Sequence, residues 1–335
     1  MSPPVTVDVL IIGGGPAGLT AATTLARQLH TVVLFDSGSY RNARSKHMHM
    51  IPTWDHKDPA EFRAAAREDL KRYDTVQVQQ TEIKSIVKQG DGVFVAEDAN
   101  GRQWHGYKII LASGVDDIFP EVTGYDECWA RAIYHCLFCH GYEQRGATSA
   151  GVLAVDWIGS TKMAMHMAHM AASLAKVVTI YTNGNEALAA EMAQALSVAG
   201  YENGQKYQTD SRAIAAIELT AEDDEDDDAV VAHRNLVRLR FQDGSQPVGE
   251  AFLAHSPRTR VKGPFAEQLG LELTPAGDYV VHPPFNETSV DGVFAAGDCT
   301  SMFKVGTRAV GDGAMTGAGV SARLQEGQMG TKAVF

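Results

Sequence analysis

Val7-Asp8-Val9-Leu10-Ile11-Ile12-Gly13-Gly14-Gly15-Pro16-Ala17-Gly18 decides the fold. Six residues of nearly continuous apolar character predict a strand buried on both faces, as in a parallel sheet. The glycine cluster then opens a helical stretch from Leu19 to Leu29, and Thr31 to Phe35 reads as a second strand ending at Asp36. Strand, GxGxxG, helix, strand and an acid 18 residues after the last glycine make a dinucleotide-binding βαβ unit. Gly13 permits the tight turn, Gly15 lets backbone approach a pyrophosphate, and Gly18 lets the helix pack closely. Asp36 is placed to accept a hydrogen bond from a ribose hydroxyl. A glycine turn without a ligand is the plainer alternative, and it would not explain the acid.

Working outward, Ala60 to Tyr73 reads as an amphipathic helix. Thr75 to Lys108 reads as a β-meander with turns at Gly90-Asp91-Gly92 and Asn100-Gly101. Tyr107 to Ser113 is another buried strand, and Asp116 to Gly124 reads as a linker. A second βαβ rhythm follows: strand Val152 to Val155, helix Thr161 to Leu174, strand Lys176 to Tyr181, helix Glu186 to Ala199 and strand Asn235 to Phe241. Gly292 to Asp298 closes a last short strand, and a helix opens near Thr307.

With 335 residues, the chain is long enough for two domains with full cores. A hydrophobic share of 44% and a charged share of 21% exclude wholesale disorder and fibrous classes. No apolar run approaches the roughly 20 residues that span a bilayer. The six residues before Val7 carry no basic segment, so no secretory leader is expected and a cytoplasmic location follows. A net charge of −12 argues against nucleic acid or an anionic membrane as partner. Seven of the acids form one run, Glu222 to Asp228, and without them 34 acids face 29 bases. The run reads as a solvated loop, since consecutive carboxylates rarely converge on one ion.

The four cysteines, at 128, 136, 139 and 299, are too few for a disulfide scaffold. Cys136-Leu137-Phe138-Cys139 has no second pair at zinc-site spacing. Beside a nucleotide domain, Cys-x-x-Cys favours a disulfide that opens and closes during turnover, with two inert buried thiols as the alternative. His135 and His140 flank the pair, and either could move a proton to or from a thiolate. Lys162 to Met170 contains His and Met residues that invite a copper reading, but helical spacing distributes them over a packed surface helix. No metal is expected.

In order along the chain, Gly13 to Gly18, Ala112 to Gly114, Cys136 to Gly141, Gly292 to Asp298 and Gly311-Asp312-Gly313 resemble the low-molecular-weight thioredoxin reductases. Phe35-Asp36-Ser37-Gly38, Tyr40-Arg41-Asn42-Ala43, His47-Met48-His49 and Tyr134 to Cys139 look like one fungal branch. That branch oxidises dithiols of epidithiodiketopiperazine metabolites and is called the gliotoxin-oxidase type. The resemblance implies an α/β fold with two Rossmann-like domains and a homodimer. It also implies an FAD domain, 1–117 and 246–335, interrupted by a CxxC domain, 118–245. It places Gly13, Gly15, Pro16, Ala17, Gly18, Asp36, Arg41, His49, Ala112, Asp298, Gly306 and Thr307 around FAD, with Cys139 the cysteine nearer the flavin.

Two departures from the reductase pattern matter. Reductases carry a second glycine fingerprint where this chain has Val152-Leu153-Ala154-Val155-Asp156-Trp157-Ile158-Gly159-Ser160. Bulky residues there obstruct a pyrophosphate and Asp156 repels it. Reductases also grip the NADPH 2′-phosphate with arginines, whereas Tyr181 to Glu186 contains no base. The second is His140, which stands where reductases have aspartate and brings a group titrating nearer neutrality. The expectation is an FAD-dependent oxidase that forms a disulfide in a small dithiol, with O2 as acceptor and H2O2 as by-product. The alternative is an NADPH-dependent disulfide reductase.

Overall fold

The computed structural model describes residues 5–90, 92–201, 206–220 and 235–329; the acidic run Glu222 to Asp228 lies outside the described residues. The chain forms two compact units. The first comprises Met1–Ala43, Met50–Asp116 and Thr259–Phe335, and the second Arg44–His49 and Asp117–Arg258.

The first unit is built on β1 (Thr6–Ile12), α1 (Pro16–Ala26) and β2 (Val32–Phe35). β1 pairs in parallel with β2 on one side, and Val9 to Ile12 are buried, as their unbroken apolar character requires. α2 (Pro59–Leu70) starts at Asp58, whose carboxylate accepts from the Ala60 N–H. β3 (Val76–Gln79) then joins β2 in parallel. β4 (Ile83–Lys88), β5 (Phe94–Asp98) and β6 (Gln103–Leu111) form an antiparallel run, and β6 turns back to pair with β1 in parallel. The expected meander is therefore three strands. Val76 and Val78 instead pack under the main sheet, which absorbs β3 into the parallel order. Val293–Ala295 extends that order beyond β6.

The long helix Gly306–Met329 lies along α1. Small residues allow this approach: a Cβ on Gly313 would run into the Ala17 carbonyl, and one on Gly317 would meet Thr24.

The second unit holds a five-stranded parallel sheet in the order Tyr207–Asp210, Ala175–Tyr181, Ala147–Leu153, Leu253–Ala254, Ile133–Tyr134. The helices Thr161–Ala171 and Glu186–Val198 contribute Ala164, Met167, Ala168, Leu188 and Met192 to its core. Ile214–Leu219, Val237–Phe241 and Val248–Glu250 make a separate antiparallel sheet. The expected crossing at 245 thus falls inside this unit. Val248–Glu250 pairs with Val237–Leu239, and Leu253–Ala254 pairs with two strands of the parallel sheet, so the chain leaves only after Arg258.

His166 and His169 are exposed on a helix whose Met167 is buried, so they do not converge with it on a copper site. Among the described residues, no helix is long and apolar enough to cross a membrane.

Gly311 and Gly313 provide a test of the helix contact. Gly311 has open space where a Cβ would lie, whereas Gly313 does not. Gly311→Ala should gain up to about 1 kcal/mol from helix propensity. Gly313→Ala should cost about 1–3 kcal/mol through overpacking. Urea unfolding should rank the stabilities G311A, wild type, G313A; the reverse order would mean that this helix pair is loosely packed.

Candidate active site

The turn from β1 into α1 is shaped by three close approaches. Gly13 sits at φ +122°, where a Cβ would overlap the carbonyl oxygen of Ala112. A Cβ on Gly18 would overlap the carbonyl oxygen of Gly13, and one on Gly14 would strike the Asp36 carboxylate. Gly15 differs, with nothing within 4 Å of its missing Cβ. It is the N-cap of α1 and makes no side-chain cap, Pro16 follows, and no acid lies in the first turn. Uncapped amides beside open space at a helix N-terminus suit an anionic pyrophosphate.

Asp36 lies at the end of β2 and is buried. Its Oδ2 accepts from Tyr40 Oη at 2.7 Å and Arg67 Nη1 at 2.8 Å, and its Oδ1 from the Gly38 N–H at 3.0 Å. A carboxylate has about four lone-pair positions, so one remains on Oδ1 for a ribose hydroxyl. Arg63, one helical turn before Arg67, stacks its guanidinium 3.8 Å from the centre of the Tyr40 ring and donates to Asn42 at 3.0 Å. Tyr40 and Arg67 were not legible as partners of Asp36, nor Arg63 as the residue stacked on Tyr40. Their only sequence signal is the four-residue spacing of the two arginines on α2.

The remaining expected cofactor residues gather in the same unit, with one exception. Arg41 Nη1 reaches Asp298 Oδ2 at 3.3 Å. Lys304, nearly buried, donates to the Asp298 carbonyl at 2.8 Å and pairs with Asp278 at 2.7 Å, holding the chain just before the last helix. Gly306 opens that helix and the Thr307 hydroxyl donates to the Met50 carbonyl at 2.6 Å. Ala17 packs within the glycine turn's own core. The exception is His49. The structure groups it with the second unit, its Nε2 3.8 Å from Glu143 Oε1.

In the second unit Cys136 and Cys139 are joined in a disulfide. The Cys139 and His140 amides both donate to the Cys136 carbonyl, at 3.1 and 3.0 Å, which folds Cys136 to His140 into one turn. Leu137 points into the core and Phe138 points out. His140 stacks on Tyr134 with ring centres 5.4 Å apart, and its Nε2 lies 3.5 Å from Ser45 Oγ. His135 stacks instead on Trp129 and lies 6.4 Å from the His140 ring. Burial lowers the His140 imidazole to about 4; His49 pushes the same way and Glu143 opposes. Its expected titration near neutrality is thus displaced downward, and at pH 7 it is a neutral base. Cys128 and Cys299 are buried free thiols, which burial raises to about 11 and about 12. They are inert by comparison with the disulfide.

The second βαβ turn of the chain is closed. Trp157 Nε1 donates to the Ser256 carbonyl at 2.9 Å, Ile158 is fully buried, and the Ser160 hydroxyl caps the next helix at Met163. Asp156 stands ahead of that helix in a left-handed conformation. After the following strand, Asn183 and Asn185 spend their side chains on the amides of Ile214 and Leu188. Arg212 is a nearby base that the segment Tyr181 to Glu186 did not reveal. It is engaged by Asp210, by Ser245 at 2.8 Å and by the Phe241 ring at 3.7 Å.

A glycine-turn Rossmann unit joined to a second α/β unit bearing a Cys-x-x-Cys disulfide defines a thiol–disulfide oxidoreductase. Residues 7–313 match the pyridine nucleotide-disulphide oxidoreductase family, and the chain belongs to it. It is 43% identical over 320 residues to thioredoxin reductase aclD of Aspergillus oryzae, covering 95% of this chain and 96% of that one. It is 44% identical over 331 residues to thioredoxin reductase tcpT of Claviceps purpurea, covering 98% of each. Among solved structures, an oxidoreductase from Agrobacterium tumefaciens superposes with a TM-score of 0.81 at 30% identity, over 96% of this chain and 99% of that one. The thioredoxin reductase-like fold expected from the motifs is the fold observed.

The depressed His140 has a consequence for stability. The unfolded chain binds that proton near pH 6.5 and the folded chain only near 4. The unfolded state therefore holds more protons in this window, and stability falls as pH is lowered from 6.5 towards 4. His255, also buried and lowered to about 4, acts in the same direction. Urea unfolding between pH 7 and 4.5 should show a shallower loss in His140→Gln than in wild type. Parallel curves would place His140 in solvent.

Proposed function

We propose that this protein is an FAD-dependent dithiol oxidase that closes a disulfide in a small secondary metabolite of the epidithiodiketopiperazine-dithiol type, with O2 as electron acceptor. The observation that carries the reading is the contrast between its two Rossmann turns. The first, at Gly13–Gly18, offers uncapped amides and open space at Gly15. The second, at Val155–Ser160, is filled by Trp157 and Ile158 and capped by Ser160. One nucleotide site is supported where an NADPH-dependent reductase uses two.

The residues present fit FAD. The Gly13–Gly18 turn would hold its pyrophosphate, the remaining Oδ1 position of Asp36 its ribose, and Arg41 with Asp298 the region towards the last helix. Bound there, FAD would supply the acceptor for two electrons from the Cys136–Cys139 dithiol and deliver them to O2 as H2O2. The rest is thiol chemistry. A substrate thiol loses its proton to the neutral imidazole of His140, and the thiolate attacks Cys136 Sγ. The protein S–S bond breaks, Cys139 leaves as a thiolate and a mixed disulfide forms. The second substrate thiol then displaces Cys136, its proton passing to the departing Cys136 sulfur, while His140 returns the first proton to the Cys139 thiolate; the product disulfide closes and both cysteines are left as thiols. The Glu143 carboxylate favours the protonated form of His140 and partly offsets the effect of burial, which lowers the cost of holding the proton.

A second reading, an NADPH-dependent disulfide reductase, is favoured by the names of the relatives, both thioredoxin reductases. The two separate in one experiment. Oxygen uptake with a small dithiol should proceed without NADPH, and anaerobic NADPH should leave the flavin spectrum unchanged over minutes. Rapid bleaching by NADPH would sink the oxidase reading. Within the oxidase reading, His140→Ala should slow anaerobic reduction of the disulfide by a dithiol about 10²–10⁴-fold with flavin content unaltered. An unchanged rate would transfer the proton step to His135.

A further inference from the structure

Two aromatic side chains stand exposed beside the redox disulfide. Phe138, between the cysteines, is 72% exposed, and Tyr142, three residues after Cys139, is 65% exposed. A single exposed apolar residue needs no explanation, but here one exposed ring stands between the two cysteines of a reactive S–S bond and a second follows within four residues along the chain. The floor beneath them is rigid. Leu137 is buried with Tyr134 in the unit's core, and Gly141 turns the chain at φ +104°, where a Cβ would press on Leu174 and Leu137. Tyr142 is also held without being covered. The Arg145 guanidinium lies 4.2 Å from its ring centre and donates to its carbonyl at 3.1 Å.

We propose that Phe138 and Tyr142 form the substrate shelf of the Cys136–Cys139 disulfide and select small dithiols that carry an apolar ring over polar open-chain ones. This rests on the reading of that disulfide as the substrate-facing redox pair. The size of the patch identifies the kind of occupant. Aromatic side chains bury roughly 150–250 Å² each, so two partly exposed rings offer far less than the roughly 800 Å² per partner of a stable protein interface. A flat ring of small-molecule dimensions is covered well by such a shelf, and a protein thiol is not. The reaction assigned to it balances within itself. One dithiol loses two electrons and two protons to become a cyclic disulfide, and the Cys136–Cys139 bond takes them up as two thiols.

The test compares two 1,4-dithiols that both close six-membered rings: 1,2-benzenedimethanethiol, which carries an apolar ring, and dithiothreitol, which does not. Anaerobic reduction of the protein disulfide by dithiol in excess over protein and flavin is followed by alkylation and mass spectrometry, a readout independent of oxygen. Wild type should prefer the aromatic dithiol in second-order rate. Phe138→Ala and Tyr142→Ala should each reduce that preference about tenfold, roughly the worth of one aromatic contact. Tyr142→Phe, which keeps the ring, should retain it. Equal preference in wild type and alanine variants overturns the shelf, as does faster reaction of wild type with a reduced thioredoxin than with either dithiol. A change in sedimentation of the alanine variants without a change in selectivity would assign the patch to a second copy of the chain. Failure of both dithiols to reduce the disulfide would overturn the proposed function as well.

Discussion

The constraint on which the first unit depends is the near-contact of α1 with the end of β1. The helix begins so close to the strand that Gly18 lies against the Gly13 carbonyl, and Gly13 lies against that of Ala112, just after β6. No residue with a Cβ fits either position. The reward is geometric: the first amides of α1 open onto free space rather than onto side chains, and the helix dipole adds positive charge there. The long helix Gly306–Met329 reaches its own position by the same device, setting Gly313 against Ala17. Close backbone approach, obtained by omitting side chains, positions both helices at this turn.

The second unit repeats the topology and reverses the chemistry. Its turn has side chains where the first has none, and the Met163 amide in its first helical turn is met by Ser160. The one arginine near the end of the next strand is held by Asp210, Ser245 and Phe241. A fold can therefore keep the Rossmann arrangement for its packing while its ligand-binding positions are spent on internal contacts. What this unit contributes to chemistry lies at Cys136–His140, where burial keeps an imidazole neutral beside a disulfide.

The βαβ start and the Cys-x-x-Cys turn were legible because each is encoded within about thirty consecutive residues, whereas the interruption of one unit by the other was expected only from the resemblance of motifs spread along the whole chain. β3 was misassigned to a meander because a four-residue strand does not reveal whether its partner runs parallel or antiparallel. The return to the first unit was placed at 245 because Val248–Glu250 and Leu253–Ala254 are too short to show any period. The clamp on Asp36 comes from Arg67, 31 residues away on another element, and no local spacing encodes such a contact. Nor can local pattern measure burial, which moves His140 away from neutrality. His49 lies in a stretch flanked on both sides by residues of the first unit, so only the folded chain reveals its partner Glu143.

That stretch, Arg44–His49, makes the second unit discontinuous in sequence. Arg44 pairs with Asp126 at 2.7 Å, Ser45 faces His140, and His49 faces Glu143. The CxxC unit is therefore not a removable cassette. A fragment cut at its main boundaries, or grafted into another scaffold, would keep both cysteines and lose the hydroxyl and imidazole that six residues supply from elsewhere in the chain. Exchanging the insert alone would break this set of contacts, so a transplant of the insert has to carry the loop after β2 with it.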